Sequence, residues 1–330
     1  MSEAYMQDLM TIKSSAIYDK WWNRYNLYSS ERSKNVDDVT TFLNWLCSMK
    51  QQFSGSTIIS AGSCVNSRIK LLHQKNFMDH MLVKDVIKKL HRNHVPKQAC
   101  VFTKEQIDRF VLNAPEHMHF LVKKLVALIG IQGALRISEI TNLEFNDITF
   151  MPNGSVNVRI KSSKTDTAGR GHSFIITPNC DKKLCLVIRL RNYINDFNIK
   201  SGKLFRNVSK VGKLLNPIGI NTMGRIPRII AEFLELSNAD EFTGHSFRRT
   251  SATFLSEKGI GLVELKQHGR WKSSSVAEGY VNNTNVAKTK ASNMLQNVVE
   301  NGVVSNETLG PSAFLHCSFV NCNISMGSHI

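Results

Sequence analysis

Residues 147–176 read DITFMPNGSVNVRIKSSKTDTAGRGHSFII. Here the hydrophobic spacing changes from the 3.6 of a helix to the 2 of a strand. Residues 147–151 form a short strand. Asn153-Gly154 then marks a tight hairpin, because the central positions of such a turn need backbone angles that Asn and Gly tolerate. Val156, Val158 and Ile160 alternate with Asn157 and Arg159 in a second strand. The polar loop KSSKTDTAGRGH (161–172) leads to a third strand at 173–176. Elsewhere the apolar residues keep helical spacing, so the fold class is mainly α with a small antiparallel β-sheet, an α+β arrangement.

Working outward toward the N-terminus, residues 1–95 read as an all-helical domain. Trp21, Trp22, Tyr25 and Tyr28 crowd the segment 19–28, a pattern that favours core packing over base stacking. Val39, Phe42, Leu43 and Leu46 lie at helical spacing in 36–49, and Ser56-Thr57 precedes another helical pattern at 58–72. VKDVIKKLHRNH (83–94) is a basic amphipathic helix that exposes Lys88 and Lys89. Pro96 stops it, and 96–102, with Lys97, reads as a linker. Thr103 with Gln106 forms a capping box for a helix to residue 112. A long apolar helix follows at about 117–130, and ALRISEITNL restarts a helix after Gly133. Beyond the sheet, helices are expected at 182–196, 218–236, 246–257, 262–268 and 274–280. The second, mainly helical domain thus spans 103–290. The tail, 291–330, is rich in Asn and Ser, with an apolar part at 313–324 that could dock elsewhere.

The 330 residues carry 42 Lys and Arg against 26 Asp and Glu. All the cations lie at or before Lys290, so residues 1–290 hold a net charge of +18. That excess points to a polyanionic partner, most often nucleic acid. A hydrophobic fraction of 42% excludes disordered and collagen-like classes. The start, MSEAYMQDLM, lacks the apolar stretch of a secretory signal. The longest apolar run, 120–137, is broken by Lys123, Lys124 and Arg136, so no membrane span is expected. Seven scattered cysteines without a CxxC pair read as reduced thiols of an intracellular protein, with no metal site and no cofactor.

Several residues carry chemistry. His245 and Arg248, in HSFR, lie one turn apart after Gly244, whose bare backbone suits an anion at a helix start. Gly269-Arg270-Trp271 is a turn, and Tyr280 follows Trp271 by nine residues, with Val276 expected to fix the helix face in the core. Arg136 interrupts an apolar stretch, with Glu139 one turn later. A half-buried Arg is expensive unless it is paired or meets an anion. Lys164 lies in the polar loop between two strands, a place from which a side chain can reach inward.

The ordered set Arg136, Lys164, His245-x-x-Arg248, Trp271 and Tyr280 resembles the tyrosine recombinase family: phage-type integrases, Cre-like enzymes and eukaryotic transposon recombinases. Gly133, Leu135, Arg136 and Glu139 match the family's G-x-L-R-x-x-E segment, and the spacing from Trp271 to Tyr280 is the family's. The phrases KQACVFTKEQ (97–106), GALRISEI (133–140), SKTD (163–166) and HGRWKSSS (268–275) look most like crypton-type and related transposon recombinases.

The resemblance implies a helical core-binding domain at 1–95 and a catalytic domain at 103–290, closing as a C-shaped clamp on duplex DNA. Two protomers would bind each site and four would form the synapse. It implies that Tyr280 attacks a phosphodiester to give a 3′-phosphotyrosyl intermediate. Arg136 and Arg248 would hold the non-bridging oxygens, helped by hydrogen bonds from His245 and Trp271. His245 would take the Tyr280 proton, and Lys164 would protonate the leaving 5′ oxygen. Lys161 competes for that role, although the S-K-T context favours Lys164. Glu139 would orient Arg136 or His245. Lys88, Lys89, Lys97 and Arg249 are expected on the DNA backbone. The same resemblance admits a domesticated DNA-binding protein of this fold or a type IB topoisomerase-like activity. A eukaryotic host would imply the nucleus.

Overall fold

The computed structural model describes residues 12–92, 98–116, 118–161, 171–209 and 212–281, together with residue 292. The chain divides into two compact units, Met1–Lys97 and Gln98–Ile330.

The first unit contains α1 (Ile12–Ser30), α2 (Val39–Ser48), α3 (Gly55–His73) and α4 (Met81–Arg92). Asp38 opens α2 by accepting the Thr41 N–H at 2.9 Å. Ser54, rather than the later Ser56-Thr57 pair, opens α3 by accepting the Thr57 N–H at 3.4 Å. The aromatic crowd is core. Tyr25 is fully buried, and its hydroxyl donates to Val36 O at 2.9 Å. Its ring meets Phe42 edge-on at 6.0 Å and Trp45 at 5.1 Å. Each such pair stabilises by about 0.5–1.5 kcal/mol beyond the area it buries. α4 turns Val83, Ile87 and Leu90 to this core and leaves Lys84, Lys88, Lys89 and Arg92 exposed.

The second unit runs α5 (Lys104–Asn113), α6 (Met118–Gln132), α7 (Ile137–Asn142), β1 (Ile148–Phe150), β2 (Val156–Ile160), β3 (His172–Ile176), α8 (Leu186–Asp196), β4 (Arg206–Val208), β5 (Leu214–Pro217), α9 (Ile220–Phe233), α10 (Ser246–Glu257), α11 (Leu262–Gly269) and α12 (Ser274–Val281). Residues 98–102, expected in the linker, belong to this unit. Cys100 N–H donates to Glu241 O at 3.1 Å, Phe102 N–H donates to Thr250 Oγ1 at 3.0 Å, and Phe102 is buried. The expected Thr103–Gln106 capping box opens α5.

α6 is the central helix, with Leu125, Val126, Ala127 and Ile129 fully buried and α7, α8, α9 and α10 packed around it. Lys124 is fully buried too. It survives there because its Nζ donates to Ala114 O at 2.6 Å and to Glu116 Oε1 at 2.9 Å.

The strands form the sheet β1-β2-β3, antiparallel throughout, with Val158 opposite Phe174 and Ile160 opposite His172. Val156, Val158 and Ile160 face the core, and Gly154 turns the hairpin with φ +81°. A second two-stranded sheet, β4-β5, has no counterpart in the sequence reading. Its strands have only three and four residues, and none of those residues is fully buried. Among the described residues no helix is long and apolar enough to cross a membrane.

Candidate active site

After α6 ends at Gln132 the chain turns through Gly133 and Ala134, whose φ of +46° is left-handed. A Cβ at Gly133 would lie 2.4 Å from the Phe174 ring, so β3 packs directly on this turn. Arg136 therefore precedes α7 as its N-cap residue instead of lying inside a helix that restarts after Gly133. Its Nη1 donates to Glu139 Oε1 at 2.6 Å and its backbone N–H to Glu139 Oε2 at 2.9 Å. The Glu139 carboxylate is buried. Burial alone raises its pKa, but the charges of Arg270 and Arg136 and the Arg136 N–H outweigh that and hold it below the usual value.

The second contribution comes from the start of α10. A Cβ at Gly244 would lie 2.6 Å from Ile137 Cγ1. The glycine thus lets the start of α10 approach the start of α7, a packing reason beside the anion argument. His245 stands at the N-cap and Arg248 one turn later. Arg248 is only 4% exposed. Its Nη1 donates to Ala134 O at 2.7 Å and its Nη2 to Gly269 O, joining the turn before Arg136 to the end of α11. Burial and the guanidiniums of Arg136 and Arg270 press its pKa down to about 10, which leaves it charged at neutral pH. His245 is open to solvent on one side. Partial desolvation, then Arg248, Arg136 and Arg249, lower its pKa and keep the ring neutral.

α11 and α12 supply the rest. Trp271 is buried beside Ala252, Leu265 and Ala277. Its ring lies 5.0 Å from that of Tyr280 at 34°, with the Arg248 guanidinium 4.8 Å from its centroid. Tyr280 is half-buried. Ala277 anchors its helix to the core, whereas Val276, expected in that role, is 45% exposed. Arg249, expected on the DNA backbone, has protein partners. Its Nη2 donates to Gln98 Oε1 at 2.8 Å, and its guanidinium sits 5.4 Å from the Tyr280 ring centroid.

The structure thus brings Arg136, Glu139, His245, Arg248, Trp271 and Tyr280 to one face of the second unit. Glu139 bonds Arg136 and Arg270, and among the described residues it has no bond to His245. Arg270, which sequence reasoning passed over as part of a turn, is a partner of this cluster. Lys161 is held by Glu144 at 2.5 Å and Asp147 at 3.4 Å. Lys164 and Lys97 lie outside the described residues, as does the tail at 313–324. Lys88 and Lys89 are exposed on α4 of the first unit. Among the described residues no group of three or more His, Cys, Asp or Glu gathers as metal ligands would.

Three imidazoles around this cluster share one titration behaviour. Desolvation, followed by nearby guanidiniums, lowers the pKa of His172, His245 and His268. The unfolded chain therefore takes up protons at about pH 6.5, before the folded one does. This contribution to stability is fully present above about pH 6.5 and is lost as the pH falls below it. Carboxylates such as Glu139, whose pKa values are also lowered, act only at more acid pH. The melting temperature should stay level from about pH 8 to 7 and fall toward pH 5.5. His268→Gln, which keeps a polar partner for Ser251 Oγ, should make that fall shallower. An identical pH profile for the variant would count against the assignment.

The family model described as the phage integrase family matches residues 101–286. An integrase/recombinase XerD homologue of Selenomonas ruminantium is 28% identical over 184 residues, covering 55% of this chain and 53% of the relative. The chain thus matches about half of that protein's length. Among solved structures, the Tn1549 transposon integrase in complex with circular intermediate DNA superposes with a TM-score of 0.60 at 15% identity, covering 88% of this chain and 96% of that one. A λ integrase dimer bound to a core site gives 0.57 at 14% identity, covering 86% and 93%. The XerH recombinase bound to its difH substrate, in a post-cleavage complex, gives 0.57 at 16%, covering 78% and 72%.

Proposed function

This chain belongs to the phage integrase family, and from that premise we propose that it is a site-specific DNA recombinase that cuts and rejoins strands through Tyr280. The observation that carries the reading is the convergence of Arg136, Arg248, His245, Trp271 and Tyr280 from four segments of the second unit. In this reading the Tyr280 oxygen attacks the scissile phosphorus, and the bond to the 5′ oxygen breaks as the phosphotyrosyl bond forms. The Tyr280 proton passes to His245, whose neutral ring can accept it. Lys164 returns a proton to the leaving 5′ oxygen. Arg136 and Arg248 meet the charge on the non-bridging oxygens, and preorganised donors of this kind supply a few kcal/mol each. The covalent link conserves the phosphodiester energy, so a second 5′-hydroxyl can attack without ATP.

The partner is double-stranded DNA, bound by a dimer per site and a tetramer in the synapse. The first unit acts as the core-binding domain, with Lys88 and Lys89 on the backbone and Lys97 in the linker. The sequence phrases quoted above support a mobile-element origin of the crypton type. A capture experiment tests the reading. The chain is incubated with nicked genomic fragments in EDTA, the protein is denatured in SDS, and attached DNA is sequenced. We expect one recurrent junction joined to Tyr280 through a 3′-phosphate. Because the donors named are all side chains, EDTA should leave the yield unchanged. Absence of any adduct overturns the reading, and plasmid relaxation without strand exchange moves it to a type IB topoisomerase.

A further inference from the structure

We infer that Arg270 is a positioning residue for strand cleavage, holding Glu139 and, through it, the Arg136 guanidinium on the scissile phosphate. This rests on the recombinase reading. Arg270 caps α11 with φ +54°, a left-handed position that favours glycine over any L side chain. The contacts of its side chain offset that backbone cost. Nη1 donates to Gly133 O at 3.0 Å and to His268 O at 3.3 Å. Nη2 donates to Ala134 O at 3.2 Å and to Glu139 Oε2 at 2.8 Å. One guanidinium thus ties the turn before Trp271 to the turn before Arg136.

Glu139 explains why the tie bears on chemistry. Its Oε1 takes Arg136 Nη1, while Oε2 takes both the Arg136 N–H and Arg270. The carboxylate is 2% exposed, so in the intact chain its direction is set by these donors and not by solvent. Without Arg270 the carboxylate is held from one side only and Arg136 loses its fixed direction. Arg270 itself is 8% exposed, and each of its terminal nitrogens has two protein acceptors, whereas each of those of Arg248 has one and keeps an N–H for the phosphate. It therefore acts through Arg136 and not on the phosphate.

The test compares Arg270→Gly and Arg270→Met with the wild-type chain on a nicked duplex carrying the captured junction. Glycine suits the left-handed backbone, so Arg270→Gly removes the guanidinium without straining the turn. Both variants should melt as folded proteins and bind the duplex with unchanged affinity. Single-turnover formation of the adduct should slow by about 10²-fold, the cost of a misplaced donor. A second duplex replaces a non-bridging oxygen of the scissile phosphate with methyl. That substrate presents no anionic oxygen pair to Arg136, so the gap between variant and wild type should close on it. A wild-type rate for Arg270→Gly overturns the inference. So does a defect equal on both duplexes, or failure of both variants to fold, each of which makes Arg270 a general structural support. A wild-type chain that forms no adduct removes the recombinase reading itself.

Discussion

Tyr280→Phe should bind duplex DNA as the wild-type chain does and leave no SDS-resistant adduct. The substitution removes one oxygen and nothing else. The ring still lies 5.0 Å from Trp271 and under the Arg249 guanidinium, so α12 keeps its seat on Ala277. What disappears is the atom that forms the covalent bond, and no neighbour can replace it. The nearest tyrosine in sequence, Tyr193, is fully buried with its hydroxyl donating to Leu204 O at 3.0 Å. Tyr25 is likewise sealed in the core of the first unit, bonded to Val36 O. The effect is therefore all-or-none. Denaturing gels of protein incubated with labelled nicked duplex measure it, beside a binding titration. An adduct that survives in the variant assigns the nucleophile elsewhere.

Much of this arrangement was legible in the sequence because it is local. The switch from helical to alternating spacing at 147–176 marked the three-stranded sheet, since side-chain period is a property of a few consecutive residues. The capping box at Thr103 and the HxxR pair were read for the same reason. What escaped depends on contacts distant in the chain. Arg270 looks like one more charge in a turn, because its left-handed backbone and its bonds to residues 133, 134 and 139 are fixed only by packing. Arg249 reads as a backbone-contact cation, and its partner Gln98, about 150 positions earlier, is visible only in the packed chain. Val276 and Ala277 exchanged roles although α12 begins at Ser274 as expected, because one residue along a helix turns its face by about 100° and only packing against Leu265 and Trp271 selects the buried position. The β4-β5 pair is too short for any pattern to outweigh its surroundings. Lys161, the rival of Lys164 that the S-K-T context already disfavoured, has the carboxylates of Glu144 and Asp147 beside it, partners that no local pattern announces.

The division between backbone clamp and cleavage site leads to opposite behaviour in two sets of variants. A net charge of +18 over residues 1–290 far exceeds what one phosphate needs. Most of those cations serve the DNA backbone in this reading. Each phosphate neutralised contributes about −0.9 to the slope of log affinity against log salt, so roughly eight contacts cost several powers of ten between low and physiological salt. Lys88 and Lys89 stand exposed on α4, and neither supports the core. Replacing both with alanine should flatten the slope by about one or two units. The rate of adduct formation at saturating protein should hardly change. Arg248→Ala should do the reverse. Arg248 is buried against Trp271 and bonded to Ala134 O and Gly269 O, so salt reaches it little and the slope should persist. Cleavage should slow by orders of magnitude, because its charge matters most as the phosphorane forms. Arg248→Lys, which keeps the charge but cannot bridge both carbonyls with a planar fork, should recover part of the lost rate. Salt-dependent binding and single-turnover cleavage, measured side by side with thermal melts, separate these outcomes. Loss of cleavage at saturation in the Lys88/Lys89 variant, or normal cleavage by Arg248→Ala, would place the working charges elsewhere.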